Sequence, residues 1–331
     1  MRDDLIKLIF NKAKKNRNIF LLTADLGYSL FDEFAKNLPN QFINVGICEQ
    51  NMISLSAGLA KERKKVFVYS IGNFSSLRCL EFIRNNICYH NLDVSIISCG
   101  SGYEYGQLGF SHHATEVLSV MRSIPNIHIY NPATVKELAI LNKEIFYSKP
   151  KFILINKKTV NDISSYNTFP TLKKIKGKIL ICSTGSILDE AMKASNALNV
   201  LKMKTEIISI PQVKPFKSIK KFINTLKNFK YIFTLEENNI NGGFGELILN
   251  IVNKHNLNIN LHIIGINDEY MRVVGDKYFL RKRAISDNNY LNSLVVNTSN
   301  IKVIKIHPFD FLCRGSKSCD YIVPGAPEED K

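Results

Sequence analysis

The chain has 331 residues, with 44 Lys and Arg against 29 Asp and Glu and a formal net charge of +15. That length suits two domains, each able to bury its own core, and a composition 45% hydrophobic and 22% charged excludes a mostly disordered chain. No apolar run approaches the roughly 18 residues of a membrane span, and the opening Met1-Arg2-Asp3-Asp4 lacks the apolar stretch of a secretory signal; a cytoplasmic protein with no membrane partner is expected.

In chain order, Asp3 or Asp4 can cap a helix whose face is Leu5, Ile6, Leu8 and Ile9. Residues 19–24 form a continuous apolar run that stops at Asp25 and Gly27, the pattern of a strand buried on both faces. The alternation continues with a helix over 49–63, a strand at 66–69, a helix over 76–89 and a strand at 94–98. A loop follows with Gly100, Gly102, Gly106 and Gly109, then a helix near 115–121, a strand at 127–130, a helix from Thr134 and a strand at 152–155. This is a doubly wound α/β unit with a mainly parallel sheet, assigned to residues 1–160.

Residues 161–176 are rich in Lys, Asn, Ser and Thr and read as a linker. A second, smaller α/β domain over 177–305 has strands at 179–182, 205–208, 231–235 and 259–264. Its helices are placed at 188–201, after Gly245, and at 287–298; residues 306–331 form an irregular tail. The seven cysteines have no framework spacing and no C-x-x-C pair, so reduced and mostly buried thiols are expected, with Cys313 and Cys319 left unassigned in the tail. Lysines are spread along the chain and not gathered into a patch interleaved with aromatics, which argues against a nucleic-acid partner.

The sharpest local signal is Gly46-Ile47-Cys48-Glu49-Gln50-Asn51-Met52, where a strand-like segment gives way to a helix lined with small residues. An acid at a helix start is a favourable partner for free N–H groups in any protein. Here the flanking Val45, Ile47, Met52 and Ile53 suggest an apolar setting, in which a glutamate can share a proton with a ligand nitrogen. Phe74 on its own reads as a core residue. His112 lies in a Gly-rich loop at a strand end, well placed for proton transfer, and His113 beside it reads as a polar surface residue.

Three motifs in order carry a resemblance. Residues 46–52 resemble the G-I-A-E-Q-N-M stretch of the transketolase family; Phe74 and the following helix resemble its next element. Gly109-Phe110-Ser111-His112-His113, with Glu116, Met121-Arg122-Ser123-Ile124-Pro125-Asn126 and Asn131-Pro132-Ala133, is similar to the family's third. The match covers residues 1–160 well, and the second domain more loosely through Glu236, Glu237 and Gly242-Gly243-Phe244-Gly245.

The resemblance implies a thiamine diphosphate enzyme whose cofactor lies at a subunit interface. This chain carries the pyrimidine-binding module and the C-terminal domain; the G-D-G…N-N signature of the module that holds the diphosphate and Mg²⁺ is absent, and Gly275-Asp276-Lys277 does not replace it. It would therefore be the C-terminal subunit of a split transketolase, working with a separate N-terminal subunit that holds the Mg²⁺, and self-dimerising within a heterotetramer. In that role Glu49 bonds the pyrimidine ring nitrogen, Phe74 stacks on the ring, and Asp25, Leu26 and Ile47 line the cofactor. His112 contacts the reacting end of the sugar, and Arg2, Ser29 and Lys157 hold a sugar phosphate. Lys157 stands where the family usually has Arg, Gly100 replaces a phosphate-contacting His, and Leu108 replaces an Asp that reads a substrate hydroxyl. These departures suit a specialised sugar. The alternatives are a subunit of a 2-oxoacid dehydrogenase or of a deoxyxylulose phosphate synthase-like enzyme, and a non-catalytic homologue.

Overall fold

Apolar runs bounded by polar turns give twelve strands in the computed structural model, which describes residues 1–160, 166–171, 178–200 and 202–286. In chain order they are β1 (Ile19–Thr23), β2 (Phe42–Asn44), β3 (Lys65–Ile71), β4 (Val94–Cys99), β5 (His128–Tyr130), β6 (Lys151–Ile155), β7 (Asn167–Thr168), β8 (Ile179–Ser183), β9 (Thr205–Ser209), β10 (Gln212–Lys214), β11 (Tyr231–Asn239) and β12 (Asn260–Ile266). Seven build one sheet in the order β10-β5-β6-β4-β3-β1-β2; five build a second in the order β12-β11-β8-β9-β7. All pairs are parallel except β10 with β5. Every residue of β4, β6 and β8 is buried, as strands covered by helices on both faces must be.

The α/β class read from the sequence holds, and several elements depart from it. Residues 76–89 do not form one regular helix. A 3₁₀ turn (Leu77–Cys79), a short α turn (Leu80–Phe82) and a π-helical turn (Ile83–Cys88) succeed one another. Their start is pinned by Ser75 and Ser76, whose hydroxyls donate to the Ile71 and Gly72 carbonyls (3.2 and 2.6 Å), and the π turn buries Ile83, Ile87 and Cys88. Asn167 and Thr168, inside the stretch read as a linker, pair with Ile208 and Ser209 as an edge strand. The helices Ile219–Leu226 and Lys277–Ser286 are additions; the first buries Phe222, Ile223 and Leu226 behind lysines that sequence composition made look merely basic. The helix expected at 287–298 and the tail at 306–331, with Cys313 and Cys319, lie outside the described residues. Among the described cysteines, Cys79, Cys88, Cys99 and Cys182 are buried, but Cys48 is exposed.

The register positions the site. Thr23 aligns with Asn44 and Tyr69, Ile71 with Cys99, and Cys99 with Ile155. The loops that follow β1, β2, β3, β4 and β6 therefore gather at one edge, outside the carboxyl ends of parallel strands, where open α/β sheets bind ligands. The opposite edge is held by Lys151, fully buried, whose Nζ donates to Asp93 (3.2 Å) and to the Lys149 carbonyl (2.7 Å) while Lys65 also pairs with Asp93.

Candidate active site

Glu49 is the first residue of the helix Glu49–Lys61 and is 3% exposed. Of the apolar flanks, Met52 and Ile53 are fully buried, whereas Ile47 is 77% exposed and Cys48 is exposed. Glu49 Oε2 accepts from Arg78 Nη1 at 2.8 Å. The same guanidinium lies 4.3 Å from the centre of the Phe74 ring, and Phe74 meets His112 edge to face at 5.2 Å. Arg78 thus links the acid to Phe74, and Phe74 reaches the histidine loop. His112 Nδ1 is 3.0 Å from the Ser111 hydroxyl.

Arg78 went unread in the sequence, although it stands only four residues after Phe74. Its arrangement fits the group that the resemblance implies: the carboxyl group has a second oxygen to share a proton with a ring nitrogen, and an aromatic face suits a flat heterocycle. His113, expected at the surface, is 3% exposed and packs edge-on against Tyr103 at 5.0 Å. Burial pushes its imidazole below the ordinary histidine range, against the pull of the Gly106 backbone. The neighbouring rings of Phe110 and Tyr103 explain why: the loop folds the second histidine inward.

Asp25, at the end of β1, adopts φ 53°. Its N–H donates to Asn44 Oδ1 (2.9 Å), which also accepts from Gly46 N–H (3.1 Å), and Asn44 Nδ2 reaches Asp25 Oδ1 at 3.3 Å. One asparagine side chain thereby fastens the loop of Asp25 to the loop of Ile47. Leu26 packs inward on the core, and its carbonyl accepts from the Thr23 hydroxyl at 2.8 Å.

The residues expected to hold a phosphate fall into two groups. Arg2 and Ser29 share a cavity of about 360 Å³, with Lys7 and Glu33 also on its walls. Arg2 Nε donates to Asp3 at 2.9 Å. Lys157 is elsewhere, its Nζ 4.4 Å from the centre of the Tyr105 ring. Tyr105 accounts for Gly100: at φ 91°, a Cβ there would lie 2.2 Å from that ring. The tyrosine hydroxyl is 3.7 Å from Cys99 Sγ, and burial followed by the nearby Cys99 raises its pKa. Tyr105 therefore fills the space a larger residue at position 100 would need. Leu108 is exposed.

The family profile described as "Transketolase, pyrimidine binding domain" matches residues 5–162, and "Transketolase, C-terminal domain" matches residues 170–282. A "Putative transketolase C-terminal section" of Methanocaldococcus jannaschii is 33% identical, over 82% of this chain and 88% of the relative. One subunit of an apulose-4-phosphate transketolase of Actinobacillus succinogenes is 32% identical, over 75% and 82% respectively. Among solved structures, a "Split gene transketolase, inactive beta4 tetramer" superposes with a TM-score of 0.73 at 27% identity, covering 86% of this chain and 92% of that one. By sequence and by fold, this chain belongs to the transketolase family, as its pyrimidine-binding and C-terminal portions.

Proposed function

We propose that the chain is the C-terminal subunit of a two-subunit, thiamine diphosphate-dependent transketolase that moves a two-carbon ketol unit between sugars. The observation that carries this reading is the joined set of Glu49, Arg78, Phe74 and His112 at the carboxyl edge of a parallel sheet. Its relatives from M. jannaschii and A. succinogenes, themselves named as a section and a subunit, support a chain that works with a partner.

In this proposal Glu49 offers its carboxyl to a ring nitrogen of the cofactor, and Arg78 fixes the orientation of that carboxyl. Phe74 presents an aromatic surface to the heterocycle, while Asp25, Leu26 and Ile47 form the rim. When bound, the cofactor supplies the nucleophilic carbon that the protein lacks. His112 exchanges a proton with a sugar oxygen. Mg²⁺ and the diphosphate belong to the partner subunit, and the assembly is a cytoplasmic heterotetramer built on a self-dimer.

In the cavity shared with Ser29, Arg2 and Lys7 are the groups that would take an anionic end of the substrate, beside Asp3 and Glu33 on the same walls. Tyr105 over Gly100 and the exposed Leu108 put an aromatic ring and an aliphatic side chain in place of polar grip, which favours a specialised sugar of carbohydrate biosynthesis over the pentose phosphates. The test mixes the chain with its diphosphate-binding partner, Mg²⁺ and thiamine diphosphate, then follows ketol transfer from a panel of ketoses, with pyruvate included as donor. Turnover that requires both subunits and falls at least about 100-fold in Glu49→Ala supports the reading. Pyruvate as the sole donor would point to a synthase or dehydrogenase, and absence of cofactor binding by the assembled pair would leave a non-catalytic homologue.

A further inference from the structure

The loop that carries His112, residues 100–113, has little structure of its own: two 3₁₀ turns, Gly106–Leu108 and Phe110–His112, separated by Gly109. A histidine that must meet a substrate within a few tenths of an ångström needs firmer support than such turns provide. That support comes from the far end of the chain.

The helix Lys277–Ser286 and the segment before it lie along this loop. Leu280 packs so closely on Gly106 that a Cβ there would be 2.3 Å from it. Lys277 pairs with Glu104 at 3.1 Å, with both side chains largely buried. Tyr270 meets Phe110 edge to face at 4.7 Å. Glu237, at the carboxyl end of β11, accepts from the Tyr103 N–H at 3.1 Å. Its side chain also crosses Gly102, where a Cβ would be 2.3 Å away and φ is +58°. Glycine is required at 102 on both grounds.

Arg281 holds this arrangement. It is fully buried, with Nε donating to Glu237 Oε1 (2.8 Å), Nη1 to Asp189 (3.0 Å) and Nη2 to the Ser186 hydroxyl (2.9 Å) as well as to Glu237 Oε2. Burying such a charge network costs desolvation that a packed apolar cluster would avoid, so stability alone is a weak reason for it. What the network does secure is geometry. The planar guanidinium fixes both oxygens of Glu237, and Glu237 fixes Tyr103, next to the ring that His113 packs against.

We propose that Arg281 and Glu237 are positioning residues, through which the helix Lys277–Ser286 sets the placement of His112 for ketol transfer. The inference rests on the reading of His112 as the residue that contacts the sugar. It gives the C-terminal portion of the chain a part in the reaction that acts through the loop of His112.

The test uses the full chain and two variants. Lys277→Ala removes one tie and keeps the buried network; the triple variant Glu237→Gln, Asp189→Asn and Arg281→Met removes the arginine together with both carboxylates it bonds. Amide hydrogen exchange is read over residues 102–113 and, as internal reference, over β1 and β3, which hold none of the substituted residues. Each variant should exchange roughly tenfold faster in 102–113 with the references unchanged. With the partner subunit, kcat should fall by about 10-fold to 100-fold, with thiamine diphosphate affinity unaltered. Unchanged exchange in 102–113, or acceleration spread evenly over the reference strands, overturns the inference. If the wild-type assembly shows no ketol transfer, the proposed function falls, and the exchange data still decide whether Arg281 orders the loop. If it turns over and the loop is unaffected in the variants, only this inference falls.

Discussion

Arg78 is shared between Glu49, at 2.8 Å, and the face of Phe74, at 4.3 Å. Arg78→Gln would strip both partners at once and leave a carboxyl group that is 3% exposed without its counter-charge. Because the arginine side chain is itself 45% exposed, the stability cost is discounted to about 1 to 2 kcal/mol, readable by urea unfolding. Ketol transfer should fall by about 10-fold or more, less than for loss of Glu49 itself. His113 has a different signature. Burial holds its pKa below the ordinary value, so the folded chain resists a proton that the unfolded chain accepts. The resulting stability is fully present above about pH 6.5, the unfolded value, and is lost as pH falls towards the depressed folded value. His113→Gln should therefore flatten the decline in stability between roughly pH 7 and 5, as measured by denaturant midpoints across that range. Sequence alone separated Glu49 and His112 from their neighbours because motif and spacing mark them. It misjudged His113, since nothing local says which of two adjacent histidines turns inward.

At the level of elements, the short helix Val117–Ser123 carries much of the contact between the two sheets' portions. Leu118 N–H donates to Asn238 Oδ1 at 3.2 Å, the Ser119 hydroxyl to the Asn241 carbonyl at 2.7 Å, and Arg122 to the carbonyls of Gly242 and Gly243. Arg122→Met should cost about 2 to 3 kcal/mol, because two carbonyls lose a charged donor, and equilibrium denaturation checks it. Most strands were legible from their apolar runs, as β4, β6 and β8 demonstrate. The broken helix at 77–88 was not: its apolar residues fit helical spacing, and the serine bonds to Ile71 and Gly72 that pin its start depend on the preceding strand. Three residues were too few for β10 to register as a strand.

On the scale of the whole molecule, one hydrophobic cluster runs through both portions, placing Leu22, Met52 and Val66 in the same core as Leu180, Phe222 and Phe244. Composition correctly anticipated enough apolar residue for such a core. The linker at 161–176 suggested two independent bodies, and no local pattern reveals that β10, from beyond it, closes the first sheet against β5. The helix Lys277–Ser286 was hidden for the same reason: its value lies in a buried arginine whose partners are Asp189 and Glu237, far away in the sequence. The pairing of β10 with β5 also governs the order in which the protein can be completed. During synthesis β6 ends at Ile155, yet the strand that covers the outer edge of β5 begins only at Gln212. The nascent chain therefore carries an unpaired strand edge while the whole intervening stretch is being translated, an interval in which a neighbouring nascent chain could pair there first.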